Sequence, residues 1–412
     1  MRLIHTADWH LGQRFKDNLD RREEHEHFLN WLLQTIEIKK TDVLIIAGDI
    51  FDSPNPPPYA QQQYYSFLAK LYAQGICKDV VVTGGNHDSP DRLNAPKELL
   101  KVLNVHVVGA IPEDSIPAYI ALPQEAPQPS VVIVAVPFLR DQDILRSQDK
   151  ESISGREERI RQGIVSHYQK CLEAVSHFKD KFIPIIATGH LFAQGCEASP
   201  DSERLIHIGT LGQVSASDFP AAFDYIALGH LHRAQVVAGK NHIRYCGSPI
   251  PLSFSERDYK HQVVLLECRD GGKLEISSQE IPVLRQLKRV EGSLPVIKEK
   301  LLQLMRAPHQ LTTWAELWIH SDESPVLVAE QVRKLAEEIK AEVRIVDFRQ
   351  TKSADTSSDI PTINHAEALE DLQPMEVFTR LLDAQQIREG REMLLEAFTE
   401  LLSQDDYPGL IA

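Results

Sequence analysis

Five times before residue 233, a short apolar run ends directly in a cluster of polar, chemistry-bearing side chains. The runs are Arg2–Thr6 before ADWH, 42–47 before GDIFD, Asp79–Thr83 before GGNHD, 182–188 before GH, and 223–228 before GHLH. Continuous apolar runs of this length suit strands covered on both faces, and α/β sheets build their sites at strand ends. Residues 130–136 and 261–268 predict two further strands without such a cluster. Between several of these lie helical patterns: 22–36, with Phe28, Leu29, Leu32, Leu33 and Ile36 on one side, and 60–72. The expected architecture is an α/β sandwich with its polar clusters gathered at strand ends.

Taken in order, those clusters supply Asp8, His10, Asp49, Asn86, His190, His230 and His232, a set of carboxylate, amide and imidazole donors suited to two divalent ions. In Asp8-Trp9-His10 and His230-Leu231-His232 the donors are two apart, so an extended backbone would turn both the same way and send the apolar residue between them into the core. Glycines precede donors at Gly48, Gly85, Gly189 and Gly229, where the chain is expected to turn sharply off a strand. One DxH or GH fragment alone means little, because a lone histidine is more often a satisfied core or surface residue. Five fragments in order, each at a strand end, point to a metal centre.

The pattern D-x-H, GD-x-x-D, GNHD, GH, GH-x-H resembles the calcineurin-like metallophosphoesterases and covers the whole first domain. The resemblance implies one ion held by Asp8, His10, Asp49 and His232 and another by Asp49, Asn86, His190 and His230, with Asp49 bridging. A carboxylate has two oxygens for two metals, which agrees with that role. Two ions about 3.5–4 Å apart would activate a shared water and stabilise an in-line displacement at phosphorus. His87, beside Asn86, is placed to protonate the leaving group, and Asp88 is expected to orient its ring. No phosphate-gripping Arg stands beside Asp52, and no tyrosine stands three positions after Asp49. The sequence thus departs from the serine/threonine phosphatases and the purple acid phosphatases, and manganese or magnesium fits better than a ferric site.

Three longer stretches, IHTADWHLGQRF, IGTLGQVSASDFPAAFDYIALGHLHRAQ and RYCGSPIPLSFSE, are similar to the SbcD family of nuclease subunits within that superfamily. Its archaeal and eukaryotic relatives tend to carry a histidine where this chain has Asp52. The family implies hydrolysis of DNA, both as a 3′ to 5′ exonuclease on double-stranded ends and as an endonuclease on hairpins and single strands. It also implies a homodimer of the nuclease subunit in complex with an SbcC-type coiled-coil ABC ATPase. No Walker A motif occurs in this chain, so the ATP chemistry belongs to that partner. The expected layout is a metallophosphoesterase β-sandwich flanked by helices (1–275), a small α+β capping and DNA-binding domain (281–350), a Ser/Thr/Asp-rich linker (351–366) and C-terminal helices (374–405). Those helices carry wide apolar faces through Val377, Phe378, Leu381, Leu394, Phe398 and Leu401, and are expected to bind the ATPase.

The net charge of -15 runs against DNA binding. Bound cations would offset it at the scissile phosphate, and Arg14, Lys16, Arg21 and Arg22 could line a groove. Five cysteines without a CxxC pair exclude a zinc ribbon and a disulfide framework, and read as small buried thiols in a reducing compartment. With neither a signal peptide nor a membrane span legible, the expected location is the cytoplasm. A small-molecule phosphodiesterase of the same superfamily is the competing enzyme reading, and the extra modules beyond residue 281 argue against it. A scaffold that had lost its metals is opposed by the complete donor set.

Overall fold

The computed structural model describes residues 1–352 except 17–18, 113–116, 125, 145–152, 200–213, 306–310 and 340–341. The expected helices at 374–405, the linker beyond residue 352 and part of the IGTLGQ stretch lie outside the described residues.

Two six-stranded sheets pack face to face. The chain first lays down β1 (Arg2–Thr6), a short hairpin of β2 (Arg14–Phe15) and β3 (Leu19–Asp20), α1 (Arg22–Lys39), β4 (Val43–Ala47), α2 (Pro58–Gln74), β5 (Asp79–Thr83), α3 (Pro90–Asn94), α4 (Lys97–Lys101) and β6 (Val105–Val108). It then builds the second sheet from β7 (Tyr119–Leu122), β8 (Val131–Val134), α5 (Asp141–Ile144), α6 (Ile153–Val175), β9 (Ile185–His190), β10 (Tyr225–Gly229), β11 (Gln235–Val236) and β12 (Ile243–Tyr245). β13 (Gln262–Cys268) and β14 (Leu274–Glu280) return to the first sheet, which runs β14-β13-β1-β4-β5-β6. The second runs β11-β12-β10-β9-β8-β7. Within them β1, β4, β5 and β6 are parallel, as are β8, β9, β10 and β12.

Alternation along each strand sets the layers. Leu3, Val43, Ile45 and Val81 face Ile133, Ile186, Tyr225 and Ala227 across the sandwich interior. Their neighbours Ile4, Leu44, Ile46 and Val82 point outward onto Phe28, Leu32, Ile36 and Phe67 of α1 and α2. On the far side Val134, Ala187, Ile226 and Leu228 meet Ile160, Ile164 and Tyr168 of α6. Both faces of both sheets are thus covered, the condition that the continuous apolar runs demand.

The first sheet continues to Glu280, past the expected boundary at 275, because β14 pairs along the whole of β13. Beyond it lies the small module: β15 (Leu287–Gly292), α7 (Leu294–Leu304), β16 (Thr313–His320), α8 (Pro325–Ile339) and β17 (Val343–Thr351). Its three strands are all parallel, in the order β15-β16-β17, and alternate with the helices in a β-α-β-α-β order. The strand Leu287–Gly292, LKRVEG, is too charged to read as one, and β17 claims Thr351, placed in the linker by composition. One face of this sheet packs on Ile297, Leu301, Val328 and Val332. The other sets Leu287 and Trp314 against Phe15, Leu19 and Phe254 of the first domain.

Candidate metal centre

Four of the seven expected donors have left-handed backbone: Asp8 (φ 55°), His10 (φ 46°), Asp49 (φ 49°) and His230 (φ 100°). A residue with a side chain held there costs about 1–3 kcal/mol, and such strain persists where the surroundings over-determine it. The surroundings here are a ladder of backbone bonds between loops, with Asp8 N donating to Gly48 O (3.1 Å), His10 N to Asp49 O (3.0 Å) and Leu11 N to Ile50 O (2.9 Å). The extended-backbone account of D-x-H is therefore corrected: β1 ends at Thr6, and a run of left-handed turns aims the donors. Trp9 and Leu231 are nonetheless wholly buried, Trp9 against Phe28 and Phe67.

The glycines divide by cause. Gly48 has φ +89°, a real turn. At Gly85, Gly189 and Gly229 the reason is space, since a Cβ would run into Asp49, the Tyr168 hydroxyl and the Ala47 carbonyl respectively.

Around Asp49 the donors converge. Its Oδ2 lies 3.6 Å from His10 Nε2 and 3.2 Å from His190 Nε2. Asp8, His10 and His232 form one group of donor atoms within 4.8 Å of one another, and Asp8, Asp49 and His190 another. Asn86 Oδ1 lies 2.9 Å from His190 Nε2 and 3.2 Å from His230 Nδ1, and His230 N donates to Asp8 Oδ1 at 2.8 Å. All seven expected donors therefore meet in one place, drawn from both sheets.

The donor set fits cations. His190 Nδ1 donates to the Ala47 carbonyl (3.0 Å), so its Nε2 presents a lone pair to Asn86 Oδ1 and Asp49 Oδ2, an arrangement with no proton to share unless the ring is charged. Burial would drive His190 down, but Asp49 raises it to about 9. Asp8 is lifted to about 7 by burial, against the pull of His190 and His232. For Asp49, burial acts upward but His190 and His10 hold it well below the usual carboxylate range. Asp8 Oδ2 and His10 Nε2 are buried with no hydrogen-bond partner among the described residues, the orphan pair a divalent ion would satisfy.

Two residues to which the sequence assigned no role stand behind the donors. Asp52 Oδ1 receives His10 Nδ1 at 3.1 Å, and Glu256 Oε1 receives His232 Nδ1 at 2.8 Å. Glu256 is the last residue of RYCGSPIPLSFSE; its type and place in that stretch were the only signal in the sequence. His87 lies beside the donors, its ring 4.8 Å from that of His10, with its backbone N on Asp49 Oδ1 (2.8 Å) and its Nδ1 donating to the Asp52 carbonyl (2.8 Å). The orienting group for His87 is thus a backbone carbonyl, which corrects the role expected of Asp88. Both Asp88 oxygens are spent on backbone N–H groups of Ile50, Phe51 and Gly85, so it ties the GDIF loop to the GGNH loop. Burial, with Asp49 nearby, raises Asp88 to about 6.

Of the four cations expected to line a groove, Arg21 is wholly buried on Glu24 and is withdrawn from that role. Lys16 reaches across to Asp347 of the small module (2.8 Å), and Arg22 pairs with Asp20 and lies over the Tyr59 ring. Arg14 is exposed on the hairpin.

Residues 1–234 match the calcineurin-like phosphoesterase family, and residues 283–386 match a family described as the type 5 capsule protein repressor C-terminal domain. The SbcD subunit of nuclease SbcCD from Escherichia coli K12 is 37% identical over 96% of this chain and 96% of its own. The proteins of the same name from Rhodobacter capsulatus (35%, covering 72% of this chain and 73% of theirs) and Bacillus subtilis (34%, covering 66% and 67%) are similar as well.

Proposed function

Because this chain belongs to the calcineurin-like phosphoesterases and, within them, to the SbcD nuclease family, we propose that it hydrolyses DNA phosphodiester bonds at the centre built around Asp49. The observation that carries the assignment is the meeting of His10 Nε2 and His190 Nε2 at one oxygen of a buried carboxylate, beside the orphan Asp8 Oδ2. Asp8, His10, Asp49 and His232 would hold one ion, and Asp49, Asn86, His190 and His230 the other. Bound there, two divalent ions supply an activated water and draw charge from the phosphoryl oxygens. Four imidazoles among the donors favour manganese over magnesium, which prefers an all-oxygen shell.

His87 supplies the proton for the leaving oxygen. Its Nδ1–H is committed to the Asp52 carbonyl, so Nε2 is the nitrogen that exchanges a proton with substrate. The Asp49 contact to the His87 backbone keeps that ring beside the donors it serves. No helix among the described residues is long and apolar enough to cross a membrane, and we place the protein in the cytoplasm with its DNA. Double-stranded ends, hairpins and single strands are the proposed substrates, with access governed by an SbcC-type ATPase and the nuclease chain acting as a homodimer. Phe378 and Phe398, in the segment outside the described residues, are the proposed docking points for that ATPase.

The test offers the purified chain, with manganese, a labelled hairpin duplex, a cyclic nucleotide and a generic phosphomonoester. Cleavage of DNA in the wild type and none in Asp49→Ala is expected. Turnover of the cyclic nucleotide without DNA cleavage would transfer the protein to the small-molecule phosphodiesterases.

A further inference from the structure

The two halves of the donor set are not backed alike. On one side both histidines, His10 and His232, give their Nδ1–H to a carboxylate: Asp52 at 3.1 Å and Glu256 at 2.8 Å. Glu256 is wholly buried, and its other oxygen accepts from Leu252 N (2.8 Å) and lies 3.2 Å from the Ser248 hydroxyl, which also faces the Ile250 carbonyl at 3.0 Å. These bonds fix the Nδ1–H tautomer of both rings and turn a basic Nε2 toward Asp8 and Asp49. On the other side His190 is backed by the neutral Ala47 carbonyl.

Formal charge divides the same way. Asp8, Asp52 and Glu256 all belong to the first side, and Asp49 is shared; the second side brings only neutral donors of its own. We propose that Asp52 and Glu256 are positioning residues that make the Asp8/His10/His232 side the tight, first-filled ion site, leaving the Asn86/His190/His230 side to bind later and exchange more readily. This rests on the two-ion reading above. It implies that occupancy of the weaker side sets how much of the protein is competent at a given manganese concentration.

The test is a titration of metal-free full-length chain with manganese chloride, read by calorimetry and by the paramagnetic resonance of unbound Mn2+. Two ions taken up in two separated steps are expected. Glu256→Gln keeps the shape and can still accept from Leu252 N, but it presents an amide where His232 needs an acceptor. It should weaken the first step by roughly 10–100-fold, the usual effect of losing such a partner. Asp52→Asn, on a side chain 35% exposed and thus unlinked to core packing, should do the same, whereas Asn86→Ala should weaken the second step alone. Two ions bound with one common affinity, or a first step unchanged in both carboxylate variants, would overturn the asymmetry while leaving the two-ion centre standing. Uptake of fewer than two ions by the wild type would bring down the centre itself.

Discussion

His87 illustrates how finely neighbouring side chains divide their labour. Asn86 turns its oxygen to His190 and His230, while the next residue turns its ring to the Asp52 carbonyl. His87→Ala is accordingly expected to keep both ions, by elemental analysis, while the rate of DNA cleavage falls by roughly two to four orders of magnitude, the range for lost acid–base catalysis. Metal lost together with rate would place His87 among the donors. The five free thiols lie at the other extreme of reactivity. Burial pushes Cys77 and Cys171 up to about 12 and Cys268 to about 11, with Cys196 and Cys246 raised as well. An ordinary cysteine titrates near 8.5, and the thiolate is the reactive form. The two buried thiols, Cys171 and Cys246, should therefore resist a maleimide or disulfide reagent at pH 8 in the folded protein, while all five react in guanidinium; fast labelling of all five in the native state would contradict this burial.

The strands that carry donors were legible because each needs an uninterrupted apolar run to be covered on both faces, and each ends where chemistry begins. Arg2–Thr6 and Asp79–Thr83 fall where the pattern puts them. What the pattern hides is conformation at the strand ends. Asp and His tolerate positive φ better than most residues, but nothing in the sequence says that Asp8, His10 and Asp49 adopt it, since the ladder between the two loops acts only through the fold. Glu256 and Asp52 were invisible as partners for the same reason: a carboxylate 24 residues from His232, or 42 from His10, acquires its role only through the fold. Gly229 shows how little room the two sheets leave each other. A methyl group there would meet the Ala47 carbonyl on the neighbouring sheet, as well as Ala7 and the His190 ring. Gly229→Ala should cost about 1–3 kcal/mol of stability through overpacking and lower metal affinity with it. Thermal melting with and without manganese checks both; a variant that melts like wild type would deny the close approach.

At the scale of the molecule, the small module is joined to the first domain by a buried charge cluster. Glu24 accepts from Arg21 (2.9 and 2.6 Å) and from Arg285 (2.9 Å), Arg21 also donates to the Pro251 carbonyl, and both guanidinium groups lie by the Trp314 ring. Removing the carboxylate that contacts both arginines strands two buried cations, so Glu24→Ala is expected to cost about 3–5 kcal/mol. Protease sensitivity should then rise in the connection 281–286, where the module hangs on Arg285. Unchanged melting and proteolysis would show that the apolar contact of Phe15, Leu19, Phe254 and Trp314 holds the module unaided. The first sheet has a consequence of another kind. β1 is flanked on one side by β13, with Leu3 opposite Leu266 and Ile4 opposite Leu265, so this strand waits for one made much later in the same domain. Closing so long a loop is slow and entropically costly. Asp8 likewise waits for His230, whose N–H it accepts. Synthesis is vectorial, and on the proposed donor set a nascent chain that ends before His230 and His232 holds no complete hydrolytic centre. On that donor set, DNA-cutting chemistry is withheld from any translation product cut short before His232.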